Sequence, residues 1–183
     1  MSIQLTLRAA QRGVTPIEAL SVLCVVSLTI GAAVPSLGSL RQKADLAGAA
    51  AQVETDVQFA RGQAAALNRT VQLTLREADG ATCYIVHTGP AADCTCSGQE
   101  PGAAACENES QLLRAVSFAT RDAVQVRSAT RSLTFDPVRG TVTPTATLRV
   151  EASDGRRIHQ IVNLLGRIRS CSPQAGVSGE RAC

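Results

Sequence analysis

Aromatic side chains are scarce: of 183 residues none is Trp, one is Tyr (Tyr84) and three are Phe (Phe59, Phe118 and Phe135). Proteins that grip bare bases rely on ring stacking for a large share of the affinity, so this composition argues against a stacking platform. Histidine is nearly absent too. His87 and His159 lie in no pattern that would build a triad or a metal-ligand helix, and both read as surface residues. No phosphate-binding glycine loop or paired-carboxylate motif is present either, so neither catalysis nor a cofactor is expected. With 45% hydrophobic residues and scattered Gly and Pro, the chain is neither disordered nor collagen-like. Its length suits one soluble domain with a short appendage.

Charge is unevenly spread. Residues 1–13 carry Arg8 and Arg12 and no acid; residues 14–109 sum to −5 and residues 110–183 to +6. A basic carboxy-terminal part suits a polyanionic partner, nucleic acid or anionic lipid. Of the 18 basic residues 17 are Arg, a bias that genome composition alone can produce.

The amino-terminal part has one long apolar run. Residues 19–40, ALSVLCVVSLTIGAAVPSLGSL, hold no charge and are long enough to span a bilayer as a helix. Arg8 and Arg12 on its amino-terminal flank place that flank in the cytoplasm and the rest of the chain beyond the membrane. A cleaved secretory signal is the competing reading, with small residues in the VPSLGSL stretch as its cleavage site. Against it stands Glu18, an acid at the edge of the apolar run, where an ionisable group is functional by default.

The run Gly13-Val14-Thr15-Pro16-Ile17-Glu18, followed by apolar residues and Ala33-Val34-Pro35, resembles the processing site and first helix of type IV pilins and type II secretion pseudopilins. The resemblance implies that a membrane peptidase cuts after Gly13 and methylates the new amino terminus. Val14 is then the first mature residue, Glu18 the fifth, and Pro35 the helix-loosening proline. Two positions depart from the family pattern: Val14 replaces the usual Phe and Pro16 the usual Leu. Proline is tolerated in a first helical turn, where its missing amide would have no intrahelical partner. The Glu18 carboxylate is implied to neutralise the amino group of Val14 on a neighbouring subunit and so to direct ordered insertion into a filament.

Beyond the apolar run, Leu46, Ala50, Val53, Val57, Ala60, Ala64 and Leu67 recur at alternating spacings of four and three, which keeps one helix face apolar. A continuous helix from about Val14 to Leu67 is expected, its first half (14–40) in membrane or filament core and its second (41–68) packed on a head. The segment 57–73, VQFARGQAAALNRTVQL, looks like the helix-to-strand junction of the GspH/FimT group of minor pseudopilins and minor pilins. Arg61 within it reads as a structural surface residue. Alternating runs predict strands near 70–76, 81–87, 113–118, 124–128, 131–136, 145–151 and 157–164, with turns at Asp136-Pro137 and Asp154-Gly155. The fold class is therefore α+β, a long helix on an antiparallel head at 69–183 with a Cys-rich loop over 89–110, and the resemblance implies that this is the type IV pilin fold.

Cys24 lies in the apolar run and reads as packing. Cys83, Cys94, Cys96, Cys106, Cys171 and Cys183 fall in the exported part and read as disulfides, with fifteen pairings open. Cys171 with Cys183 is the simplest pair because it ties down the tail; the other four would staple the long loop to the sheet. Zinc is the rival, but Cys94-Thr95-Cys96 lacks the two-residue spacer of zinc knuckles, so no metal is expected.

Near the carboxy terminus, Gly166 permits a tight turn, after which Arg167 and Arg169 project on one side of an extended chain and suit phosphate. Arg156, Arg157 and His159 would widen the patch. Gly166-Arg167-Ile168-Arg169 resembles the Gly-Arg-x-Arg motif with which T-type minor pilins bind DNA in natural transformation. That resemblance implies a tip-located minor pilin taking duplex DNA; the alternative is a structural, H-type minor pseudopilin of a secretion system or an assembly-priming minor pilin. Either way the partners are other pilins or pseudopilins, the prepilin peptidase and the inner membrane, with the head in the periplasm before the subunit joins a surface fibre.

Overall fold

Residues 13, 15–78, 80–96, 103–119, 122–173, 177 and 179–183 are described here from a computed structural model, 31–37 and 78 by their backbone alone. The chain divides into two compact units, Met1–Leu40 and Arg41–Cys183. Helix α1 (Pro16–Leu67) contributes to both. Its start is fixed locally: Pro16 occupies the first helical position, and the Glu18 amide donates to Thr15 Oγ1 at 3.4 Å as to an N-cap hydroxyl. Its end is fixed by Asn68, which takes a left-handed φ of 48°.

In the first unit the helix has no apolar side to hide. Ile17, Leu20, Val22, Leu23, Val25, Val26, Leu28 and Ile30 are all exposed. In the second unit the expected face is the one that packs: Leu46, Ala50, Val53, Val57, Ala60 and Ala64 are buried together with strand residues. Leu67 is the exception at 39% exposure, since the helix ends there.

Among the described residues the head holds eleven strands: β1 (Val71–Ala78), β2 (Ala81–Thr88), β3 (Cys94–Cys96), β4 (Ala104–Cys106), β5 (Leu112–Phe118), β6 (Val124–Arg127), β7 (Ser132–Phe135), β8 (Val142–Thr143), β9 (Ala146–Ala152), β10 (Arg157–Val162) and β11 (Ile168–Cys171). They form a five-stranded sheet β5-β2-β1-β7-β8, a four-stranded sheet β11-β10-β9-β6 and the ladder β3-β4. Every ladder is antiparallel. Val71, Leu73, Tyr84, Val86, Leu133 and Phe135 from the first sheet and Leu148, Val150, Ile158 and Val162 from the second meet the helix face in one core. Alanine at three of the six buried apolar positions of the helix face, Ala50, Ala60 and Ala64, brings the backbone close, and each buried Leu or Val contributes on the order of 1.5–3 kcal/mol.

Three differences from the sequence expectation stand out. The loop at 89–110 contains the β3-β4 ladder, because Cys94 and Cys106 face each other across it. Strands β8 and β11 are too short to show a period. The head helix joins the sheets by polar locks as well: Gln160 Nε2 donates to the Ala50 carbonyl at 3.1 Å, and the Ser170 hydroxyl donates to Gln160 Oε1 at 2.8 Å.

Candidate functional site

At the amino-terminal end, Gly13 is exposed and lies before the helix; Glu18 is exposed in its first turn. Val14, and the leader with Arg8 and Arg12, lie outside the described residues. Pro35 is helical by backbone, and its side chain is likewise outside them. Among the described residues no helix is long and apolar enough to cross a membrane.

The six cysteines of the head pair as Cys83–Cys96, Cys94–Cys106 and Cys171–Cys183. The tail pair is the one expected. Of the other two, Cys83–Cys96 joins the loop to β2, whereas Cys94–Cys106 closes the loop on itself. No group of metal-ligating side chains is present among the described residues.

The basic end is a three-residue hairpin loop between β10 and β11. Asn163 Oδ1 accepts from the amides of Leu165 (3.0 Å) and Arg167 (2.9 Å), and the Asn163 amide donates to the Arg167 carbonyl at 3.1 Å. Gly166 then takes φ 69°, the left-handed position such a loop requires. A side chain there would also be crowded. A Cβ on Gly166 would lie 3.1 Å from both Arg61 Cδ and Val142 Cγ2. Arg61, exposed on α1, thus acts as a packing residue beneath the turn.

Arg167 and Arg169 are exposed, and among the described residues neither has an ion-pair partner. Arg167 closes the turn rather than sitting in a strand, and Arg169 pairs with Ile161 across the β10-β11 ladder. Arg156 and Arg157 do not join them. Arg157 is four residues along β10 from Ile161, about 13 Å away by strand rise, and its Nε is 3.4 Å from Glu151 Oε1. Arg156 is held by Asp154 within its own turn through Nε and Nη2, which pulls the Asp154 carboxyl below the usual range. The solvent face of the second sheet instead supplies Arg149 beside His159 and Arg127. Burial and the charges of Arg149 and Arg157 push the His159 pKa down.

His87 is no surface residue. It is fully buried; Nδ1 donates to the Thr88 carbonyl at 3.0 Å, so Nε2, 2.9 Å from Thr74 Oγ1, accepts from that hydroxyl. Burial holds its pKa below the ordinary value. A second buried group went unread in the sequence. Asp56 of α1, 0% exposed, accepts a 2.6 Å hydrogen bond from the Tyr84 hydroxyl, and its Oδ1 lies 2.8 Å from Arg114 Nη1. The Arg114 contact is ionic rather than an aligned hydrogen bond. Desolvation raises the Asp56 pKa against the opposing pull of Tyr84 and Arg114, and the same desolvation raises that of Tyr84. The signal available was a lone acid on the apolar helix face, one position before Val57.

A helix laid on antiparallel sheets, with hairpins and disulfides in place of a chemical cleft, defines a pilin-like structural subunit. Residues 49–166 match the family model of type II transport protein GspH, and the chain belongs to that family. No curated protein matches the sequence. Among solved structures the chain is similar to the type IV minor pilin FimU of Pseudomonas aeruginosa (strain PAO1) in its P21 crystal form: TM-score 0.50, 18% identity, over 71% of this chain and 93% of that one. The P65 form of the same protein gives TM-score 0.48 and 18% identity over 70% and 97%. At this identity the likeness is one of fold. Family membership makes the chain a non-enzymatic pilin or pseudopilin that assembles with like subunits.

Proposed function

We propose that the chain is a structural minor subunit of a type II secretion pseudopilus or of a type IV pilus, anchored in the inner membrane by residues 19–40 after removal of residues 1–13. The observation that carries this reading is the contrast along α1: one face is buried in the head, whereas Ile17 to Ile30 are apolar on every side and exposed, with Glu18 the one charge among Pro16–Leu40. A rod of that kind needs hydrocarbon or neighbouring rods around it. Its carboxylate needs a cation there, and the Val14 amino group of an adjacent subunit is the one that processing after Gly13 would create. In a host with a prepilin peptidase, the mature protein is expected to begin at Val14 by mass. Glu18→Ala is expected to reach the membrane but fail to enter fibres; incorporation at the unsubstituted level would refute the role.

A second reading has its own support. Among the described residues Arg167 and Arg169 stand exposed without an ion-pair partner, an arrangement that fits backbone phosphates without reading sequence. In this reading the subunit sits near a pilus tip and holds duplex DNA for uptake, Gly166 shaping the turn. Retention in a gel shift by residues 41–183 should fall as salt rises, with a slope of about −0.9 per phosphate contacted. Arg167→Gln with Arg169→Gln should remove it; equal retention would leave the structural reading alone.

A further inference from the structure

Two turns stand side by side at the end of the head reached by the last part of α1. The β7-β8 turn, Asp136 to Gly140, is closed by the Val138 and Arg139 amides donating to Asp136 Oδ1 at 2.9 and 2.8 Å. The β10-β11 turn is closed by Asn163 as described, and the Val142 amide donates to the Leu164 carbonyl at 2.8 Å, tying the two together. Both lean on Arg61: a Cβ on Gly140 would lie 4.0 Å from its Nη2, one on Gly166 3.1 Å from its Cδ. These turns are rigid by construction, yet their tips carry large apolar side chains. Val138 is 85%, Leu164 51% and Leu165 53% exposed.

Turn tips normally hold polar residues, and three apolar ones fixed in water are unfavourable unless something covers them. Around them stand the guanidinium groups of Arg61, Arg139 and Arg167, with the Asp136 carboxylate 3.9 Å from Arg139. An apolar centre with an arginine rim, held in advance by hydrogen-bonded turns, is the anatomy of a protein interface. A patch of one sign repels its own copy, and phosphate backbones offer nothing to leucine. We propose that this two-turn platform docks a different protein subunit of the same assembly, one that presents an apolar recess edged by carboxylates. The proposal rests on the structural-subunit reading above. Arg61 is then both the support of the turns and part of the rim, roughly 30 Å along the helix from Arg41, by rise per residue.

The test places a benzophenone amino acid at Leu165 of the full chain in producing cells, with irradiation and mapping of the cross-linked peptide by mass. One dominant adduct is expected, to another subunit, at an apolar segment flanked by Asp or Glu. Arg139→Glu with Arg167→Glu should cut its yield about tenfold, since like charges then face each other, and acid-to-Arg changes at the mapped carboxylates should restore it. Leu164→Ser in the same chain should weaken the adduct while the purified head keeps its melting temperature. An adduct with nucleic acid, lipid or this same chain, no adduct, or one indifferent to charge reversal would overturn the proposal. Failure of the underlying reading shows separately, as Glu18→Ala incorporating normally into fibres.

Discussion

Asp56 illustrates how one residue fixes the register of a helix that is otherwise smooth. Alanines on α1 could slide along the sheets with little loss, but an acid at 0% exposure must meet its partners, Tyr84 on β2 and Arg114 on β5. Arg114, its side chain 43% exposed, also lies 5.7 Å over the Phe59 ring, which helps to hold the guanidinium over Asp56. Asp56→Asn keeps the shape and removes the charge, leaving Arg114 without its partner. Unfolding of the head in urea should show a loss of about 1–3 kcal/mol. No loss would mean that the pair merely tolerates burial. In the sequence, Asp56 is one acid among ten between residues 14 and 109, and nothing in its spacing says which carboxylate goes inside. Gly166 and Arg61 differ in this respect. The need for a turn before Arg167 was legible, whereas the contact that would crowd a side chain at Gly166 comes from a residue 105 positions earlier and was not.

At the level of elements, β11 is an edge strand whose outer side is covered only where the tail returns, at the Ser172–Ala182 bridge. Exposed Arg169 there guards the edge against pairing with another chain, whatever else it binds. The tail is held by Cys171–Cys183 and by the Ser172 amide on the Arg181 carbonyl at 2.8 Å. Replacing both cysteines by Ser should cost about 2–4 kcal/mol of head stability and open residues 173–183 to protease. A tail that stays protected would show that the hydrogen bonds suffice. The long strands were readable because alternation over six or more residues is a strong signal; β3, β4 and β8 are not, since two or three residues have no period. Their positions come from the disulfides and from pairing with strands far along the chain.

For the head as a whole, stability should depend on pH through His87. Its folded pKa is held below 6.5 by burial, so the unfolded chain binds the proton first. Stability is therefore fully present above about pH 6.5 and declines as pH falls through the window below it. His159 is shifted the same way and adds to the slope. Thermal melts between pH 7 and pH 5 should show a falling midpoint, and His87→Gln should flatten the curve even if it lowers the plateau. An unchanged slope would place the dependence elsewhere.

The sequence by itself determined the class: Gly13 ahead of Glu18, an uncharged run after Glu18, a helix face at four-three spacing and an even set of cysteines beyond that run are local patterns, and local patterns fix local structure. Only the tertiary structure decided which cysteine joins which, that His87 and Asp56 are inside, that Arg156 is held by Asp154 while Arg167 and Arg169, among the described residues, stand without an ion-pair partner, and that two turns meet over Arg61. Most of those outcomes depend on contacts between residues distant in the sequence, and even the local Arg156–Asp154 pair is a matter of side-chain geometry; packing the sheets on the helix sets that geometry and leaves no periodic trace along the chain.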